Sequence, residues 1–241
     1  MEQGRWRPAG QRPTPGPLIA LRAQPAAATV AVLCAVVLTA LAIRYAGHTQ
    51  AGPLDARIDG WAQGHLGITS PTLRALTLLG DPAPVTVMTL LIALGCARAR
   101  WWRAVVLTVL ATPAASGLTE DVLKPAIGRT IDGALSMPSG HTCAVFTLAT
   151  LGVVLLRPRP PGPLGSPRRL IVLAAYVLAV AVAVAMVAQG FHYFTDTVGG
   201  AAVGTGTVLA VALAIDAAAG PVRTRLAARA DTAGHRAHST L

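Results

Sequence analysis

The sequence predicts an all-α fold, a polytopic membrane protein built as a bundle of six transmembrane helices with both termini in the cytoplasm. Three observations support this prediction. Hydrophobic residues make up 53% of the chain and charged residues only 12%, and the mean hydropathy is +0.56, a composition typical of membrane proteins and not of soluble domains. Six apolar segments follow one another, and the basic residues between them are unequally distributed.

Each predicted span is an apolar run bounded by Arg, Pro or Gly. The first has 21 residues, which as a helix would measure about 31 Å and would cross the hydrocarbon core. The second is the least apolar, and we expect part of residues 73–79 to continue it. The predicted spans cover residues 26–46, 82–97, 101–123, 139–156, 170–190 and 197–219.

The basic residues orient this bundle. Of the twenty lysines and arginines, fifteen fall on the side that holds both termini and five on the other. The positive-inside rule therefore places both termini in the cytoplasm. In a soluble protein the net charge of +10 would suggest nucleic acid as a partner, but here membrane orientation explains it, so we expect no nucleic-acid partner.

Two basic tails flank the predicted membrane domain, which covers residues 26–219. Residues 1–25 are rich in Pro, Gly and Arg, and we expect them to be a disordered cytoplasmic tail. Residues 220–241 form the second cytoplasmic tail. Abundant Ala and Arg beside a single lysine indicate a GC-rich bacterial genome, so the expected location is the plasma membrane; the sequence does not indicate the oligomeric state.

The segment Met-Pro-Ser-Gly-His at residues 137–141 opens the fourth predicted span on the outer side. Ser139 suits a helix N-cap, and Gly140 would let a ligand approach the backbone closely. The free N–H groups and the positive helix end make an anion site suited to phosphate. His141, in the first turn, could protonate a departing oxygen. A capping sequence followed by an interfacial histidine is the alternative that this pattern leaves open.

His192 and Asp196 precede the last predicted span and would share one face of a helix. An aspartate so placed can keep one ring nitrogen protonated and aim the other at phosphorus. This is the orienting role of Asp in a Ser-His-Asp triad, although here the histidine itself would attack. An interfacial histidine with a capping aspartate is the alternative for this pair alone.

Two cations follow the third predicted span. We expect Pro125 to end that helix, so that Lys124 lies over the outer surface and Arg129 follows after the flexible Gly128. They could bind a phosphate, Lys124 as a point charge and Arg129 as a fork. Snorkelling interfacial cations are the alternative.

The other charged residues near these motifs have weaker predicted roles. Glu120 and Asp121 could pair with Lys124 or Arg129, or face the outer cavity. A surface helix is expected before the second span, with its polar side chains on the exposed face: Asp55, Arg57, Asp59 and His65. The chain has neither a zinc-type Cys/His spacing nor a Gly-rich nucleotide loop, so we expect no metal and no cofactor.

Together, these segments resemble the type 2 phosphatidic acid phosphatase family, which is related to the vanadium haloperoxidases. The family pattern is Lys-x6-Arg-Pro, then Pro-Ser-Gly-His, then Ser-Arg-x5-His-x3-Asp. This chain supplies Lys124, then Pro-Ser-Gly-His at 138–141, then His192 and Asp196, in that order. The resemblance covers roughly residues 26–219, and its middle motif is the most specific.

The resemblance implies a role for each matching residue. His192 would be the nucleophile that forms a phosphohistidine, with Asp196 orienting it, and His141 would be the general acid for the leaving group. The phosphate oxygens would be held by Lys124, Ser139 and Gly140. No metal is implied.

The chain departs from the family pattern at two places. The Arg-Pro of the first motif falls at residues 131–132, which are Ile-Asp, and Arg129 is the available substitute. The Ser-Arg of the third motif falls at residues 185–186, which are Ala-Met. Gln189 lies on the same helical face as His192 and could donate a hydrogen bond there.

The expected function is that of an integral membrane phosphatase acting on a lipid phosphate or pyrophosphate at the extracytoplasmic face. Candidate substrates are polyprenyl pyrophosphate, phosphatidic acid and phosphatidylglycerol phosphate. A lipid phosphotransferase that uses the same histidine is one alternative. A non-catalytic lipid-binding relative is the other, and the missing third-motif arginine motivates it.

Overall fold

The computed structural model describes residues 16–67, 69–156 and 167–238, with side chains to residue 219. It confirms a mostly helical protein. Its α-helices are α1 Gln24–Tyr45, α2 Pro53–Leu66, α3 Pro71–Leu78, α4 Pro82–Arg98, α5 Trp102–Gly117, α6 Lys124–Ile127, α7 Gly140–Leu155, α8 Pro167–Ala188 and α9 Phe194–His238. A 3-10 turn at Leu21–Ala23, a π-helical turn at Leu118–Leu123 and a hairpin of β1 Thr130–Ile131 with β2 Ala134–Leu135 complete the described elements.

Four of the described helices are long and apolar enough to cross a membrane: Leu21–Tyr45, Trp102–Ile127, Pro167–Ala188 and Phe194–Ala219. The pair α3 and α4 makes a fifth span if its 51° bend is counted as a break within one span, as the sequence predicted for residues 73–97. The remaining candidate, α7, has 16 residues, about 24 Å of helix. The chain is a multi-pass membrane protein, while six spans and cytoplasmic termini stay predictions.

The centre of the bundle is the contact between α7 and α9, where glycines replace side chains. A Cβ at Gly200 would overlap the carbonyl of Ser139, and a Cβ at Gly204 would overlap the carbonyl of Cys143 and lie 2.9 Å from the nitrogen of Thr147. Only residues without a side chain permit this approach. The two glycines form a small-xxx-small pair, which lets two helices pack closely, and α7 is the partner helix.

Near the middle of α9, a buried ion pair joins this helix to the chain that precedes α1. The carboxylate of Asp216 accepts hydrogen bonds from the backbone nitrogens of Leu18 and Ile19, at 2.6 and 2.7 Å, and pairs with Arg103 at 2.6 Å. Leu18 is 1% exposed. Leu18 and Ile19 therefore pack against the bundle. The disordered tail expected at residues 1–25 stays a prediction, since residues 1–15 lie outside the described residues.

The expected helix break at Pro125 is wrong. The helix continues through the π-helical turn into α6 and ends at Gly128, whose nitrogen bonds the carbonyl of Lys124 and whose φ is +65°. A π turn adds a residue to one turn of helix. Because this turn stands directly before Pro125, it accommodates the ring and the missing N–H donor without ending the helix.

Helix α2 presents its two carboxylates inward, contrary to the expectation for Asp55 and Asp59, whereas Arg57 and His65 are exposed as expected. Asp55 is 0% and Asp59 6% exposed, whereas Leu54 is 51% and Trp61 58% exposed. This orientation places acidic side chains against the start of α9, where Asp59 accepts a hydrogen bond from the nitrogen of Phe194 at 3.0 Å.

Candidate active site

One backbone hydrogen bond joins the second and third motifs. The nitrogen of Ser139, at the start of α7, donates to the carbonyl of Asp196 in the first turn of α9, at 2.9 Å. The glycines at 199 and 200 let Pro138 and Ser139 lie directly against that turn. Two segments far apart in the sequence thus form a single site.

The N-terminus of α7 carries the predicted anion site. Ser139 caps the helix, its Oγ accepting a hydrogen bond from the nitrogen of Thr142 at 3.4 Å. A Cβ at Gly140 would overlap the carboxylate of Glu120 and would lie 4.0 Å from Nζ of Lys124. Lys124 also forms an ion pair with Glu120 at 2.7 Å. The predicted cation therefore lies beside the predicted anion-binding helix end.

His141 has a carboxylate partner that the sequence reasoning missed. Its Nε2 lies 2.8 Å from Oδ1 of Asp81, the residue before α4, and both side chains are partly exposed. Gly80 permits this contact, because a Cβ there would lie 2.8 Å from Cβ of His141. The signal in the sequence that could have identified this partner was Asp81 itself, a carboxylate directly before the second predicted span.

His192 and Asp196 lie together as predicted, but they do not share one helix, because α9 begins at Phe194 and His192 stands in the bend before it. Nδ1 of His192 is 3.6 Å from Oδ2 of Asp196, longer than a hydrogen bond, and His192 is 9% exposed. Asp196 is wholly buried, and its Oδ2 also accepts a hydrogen bond from the nitrogen of Tyr193 at 3.1 Å. Catalytic hydrogen bonds often tighten only when substrate binds.

Arg129 differs from the expected phosphate fork, because its guanidinium is wholly buried and engaged by protein groups. Its Nη1 donates to Oδ1 of Asp196 and to Oγ1 of Thr195, both at 2.7 Å, and its Nη2 donates to Oδ2 of Asp55 at 2.6 Å. In this structure Arg129 therefore supports Asp196 and does not line the open site.

Two tyrosine rings enclose the same guanidinium. The rings of Tyr45, at the end of α1, and of Tyr193 each lie 4.2 Å from Cζ of Arg129. The pKa of the Tyr193 hydroxyl is raised, chiefly because the side chain is buried. The positive charge of Arg129 opposes this rise, and the negative charge of Asp196 adds to it. Such stacking stabilises a desolvated arginine.

Asp59 is a second buried carboxyl in α2, close to this network. Its pKa is raised from 3.8 to about 7. Burial is the main cause; the hydrogen bond from Phe194 and the charge of Arg129 oppose the rise, and the charges of Asp55 and Asp196 add to it. Near neutral pH a substantial part of this side chain is therefore protonated.

The supporting residues predicted from sequence contact protein groups. Gln189, in the turn after α8, donates from Nε2 to the carbonyl of Ala185 in that helix, at 3.2 Å. Asp121 is exposed, whereas its neighbour Glu120 forms the ion pair with Lys124. Met186, where the family pattern has arginine, is 3% exposed and packs in an apolar cluster between α7 and α8: Val145, Ala149, Ala179 and Val182.

A cavity of about 540 Å³ opens beside His141. Its polar end is formed by Gly140, His141 and Glu120, and its walls are largely apolar residues of α4 and α5: Pro82, Val85, Leu90, Val109 and Pro113. Within the described residues, no group of three or more His, Cys, Asp or Glu side chains is placed to hold a metal ion.

Comparison with known proteins assigns the family. The model of the PAP2 superfamily matches residues 77–219, more than half of the chain. The chain belongs to the PAP2 superfamily. The comparison with curated proteins gives no match.

A solved structure supports the fold of this PAP2 protein. The crystal structure described as the first transmembrane PAP2 type phosphatidylglycerolphosphate phosphatase, from Bacillus subtilis, aligns with a TM-score of 0.62 and 23% sequence identity. The alignment covers 75% of this chain and 93% of that one. At 23% sequence identity, the similarity between the two structures shows a shared fold.

Proposed function

We propose that this PAP2 protein is an integral membrane phosphatase that hydrolyses a lipid phosphate or pyrophosphate monoester at the extracytoplasmic face, through a phosphohistidine intermediate. The observation that carries the proposal is the hydrogen bond between Ser139 and Asp196, which unites the anion-binding end of α7 with the His192–Asp196 pair. Lys124 and His141 adjoin the same helix end.

Binding of the phosphate is assigned to Lys124 and to the first turn of α7. The free N–H groups of the helix end and the ammonium both favour an anion. The carboxylate of Glu120 lies over Gly140 and pairs with Lys124 in this structure, so the phosphate would take the place of that carboxylate. Arg129 is assigned to the support of Asp196, because its guanidinium is buried and engaged by two carboxylates.

The chemical step is a displacement at phosphorus. Nε2 of His192 attacks, the bond from phosphorus to the leaving oxygen breaks, and His141 donates a proton to that oxygen. Asp196 accepts the Nδ1 proton of His192 in a hydrogen bond and stabilises the positive ring. Asp81 holds Nε2 of His141, so Nδ1 of His141 faces the leaving group.

Hydrolysis of the intermediate completes the cycle. His141, now neutral, takes a proton from a water molecule that attacks phosphorus, the phosphorus–nitrogen bond breaks, and inorganic phosphate leaves. His192 and His141 return to their starting states.

A lipid substrate is favoured by the cavity beside His141. Its polar end adjoins the first turn of α7, to which the phosphate is assigned, and its apolar walls on α4 and α5 would accept the tail of an amphiphile that stays in the membrane. Phosphatidylglycerol phosphate, phosphatidic acid and polyprenyl pyrophosphate are the substrates to compare.

Phosphate release by the purified protein in detergent tests the proposal. We expect turnover without added metal, inhibition by vanadate, and loss of turnover in His192→Ala. Full activity of His192→Ala would refute the covalent route. Phosphoryl transfer to an added alcohol, with no free phosphate, would assign a phosphotransferase instead, and no turnover on any of the three lipids would indicate a lipid-binding relative.

A further inference from the structure

A carboxylate outside the three motifs is built into the site. Asp55 of α2 is wholly buried, and both its oxygens are directed at the residues around Asp196. Oδ1 accepts from the nitrogen of Thr195 at 2.9 Å, and Oδ2 accepts from Oγ1 of Thr195 at 3.0 Å and from Nη2 of Arg129 at 2.6 Å. The proposed phosphoryl transfer assigns no role to Asp55.

Arg129 links Asp55 to Asp196 mechanically. Its guanidinium is planar, so its two terminal nitrogens keep a fixed separation. One nitrogen bonds Asp55 and the other bonds Asp196. A displacement of Asp55 would therefore move the carboxylate that faces His192.

Asp55 also sets the charge around His192. If Arg129 paired with Asp196 alone, the cation would neutralise the carboxylate that must attract the ring proton of His192. Because Asp55 shares the guanidinium, the three groups carry one net negative charge. The other titratable groups packed here are Tyr45, Tyr193 and Asp59.

We propose that Asp55 is a positioning residue for the reaction, holding Arg129 so that Asp196 stays aligned with His192 and keeps its negative charge. This inference rests on the proposed phosphohistidine mechanism. In this proposal Asp55 makes no contact with the substrate. It affects only the step in which His192 attacks phosphorus. Binding of the phosphate, assigned to Lys124 and α7, does not depend on it.

The first test is the kinetics of Asp55→Asn, a change that keeps the size of the side chain and removes its charge. We expect kcat to fall by about 10- to 100-fold, the usual result of a small misalignment, with KM nearly unchanged. Asp59→Asn is the matched control, since this carboxyl is also buried in α2 but bonds Phe194; its kcat should stay close to wild type. A normal kcat for Asp55→Asn, or equal losses in the two variants, would overturn the proposal.

Two further variants separate positioning from folding. Asp55→Glu keeps the charge and displaces the carboxylate, so its kcat should fall less than that of Asp55→Asn, and it remains informative if Asp55→Asn does not fold. If Asp55 acts through Arg129, Asp55→Asn should cause no further loss of kcat in an Arg129→Gln background. Additive losses would contradict a route through Arg129.

Histidine-ring NMR provides a readout that does not need turnover. The nitrogen signals of His192, assigned by their loss in His192→Gln, should shift in Asp55→Asn and not in Asp59→Asn. Unshifted signals would refute the role of Asp55. A wild-type protein that releases phosphate from no lipid would instead refute the proposed function, and the NMR comparison would still decide whether Asp55 positions His192.

Discussion

At the scale of single residues, the carboxyl of Asp59 makes the stability of the protein depend on pH. Its folded-state pKa of about 7 lies above the ordinary 3.8 because the side chain is buried. A carboxyl that holds its proton more tightly when folded contributes stability that is full below the unfolded-state pKa and is lost as pH rises through the folded-state pKa.

We therefore expect the stability of the wild type relative to Asp59→Asn to decrease as pH rises from 3.8 to about 7. Asparagine resembles the protonated carboxyl and does not ionise. Melting temperatures of both proteins across this range in one detergent would measure the difference. A difference that stays constant with pH would contradict the account of Asp59.

The residues of the site show which contacts a sequence can predict. His192 and Asp196 are four residues apart, so a local pattern predicts that they lie close together, although His192 stands before α9 and not in it. Asp55 lies 140 residues from Thr195 and 74 from Arg129. No local pattern encodes that network, and the buried guanidinium of Arg129 follows only from the packing of α1, α2 and α9.

At the scale of elements, the approach of α7 to α9 depends on glycine. A Cβ at Gly204 would overlap the carbonyl of Cys143, whereas a Cβ at Gly152 of α7 would meet no atom within 4 Å. The backbone of α7 cannot move away without disturbing the Ser139–Asp196 contact.

We expect Gly204→Ala to destabilise the protein by about 1–3 kcal/mol through overpacking and to lower kcat as well. Gly152→Ala is the control, and it should keep activity and stabilise the helix by about 1 kcal/mol. Thermal unfolding and turnover of both variants measure these effects. Equal behaviour of the two variants would show that the close approach is not required.

The elements also explain one wrong prediction. The expected outward face of α2 followed the rule for soluble proteins, in which polar side chains face the solvent. In a membrane protein the surroundings of a helix near lipid are partly apolar, so carboxylates can point inward to partners while Leu54 and Trp61 point outward. Periodicity identifies the two faces of a helix, and only packing decides which is buried.

At the scale of the whole molecule, α9 makes two separate sets of contacts. Asp196 lies in the site, and Asp216, about 30 Å further along the helix, joins Arg103 to the backbone before α1. The spans were predictable because long apolar runs are visible locally. This anchor was not, because it joins residues separated by 198 and 113 positions.

Asp216→Asn should destabilise the protein by about 3 kcal/mol, because it leaves Arg103 without its carboxylate in a largely buried position. The KM and kcat for a lipid phosphate should stay close to wild type, since the anchor is remote from the site. The double variant with Arg103→Gln should lose less stability than the two single changes together. Unfolding and kinetics in detergent would measure both, and a loss of kcat without a loss of stability would contradict this assignment.

The central claim is that His192 carries the phosphoryl group. The most direct measurement is mass spectrometry, at a pH that preserves phosphohistidine, of protein quenched during turnover of a phosphate ester with a good leaving group. In His141→Gln, which lacks the group that activates water, we predict that a phosphoryl group accumulates on the peptide containing His192 and is absent when His192 is also replaced. A phosphoryl group on another residue, or turnover by His192→Ala at the wild-type rate, would contradict the account.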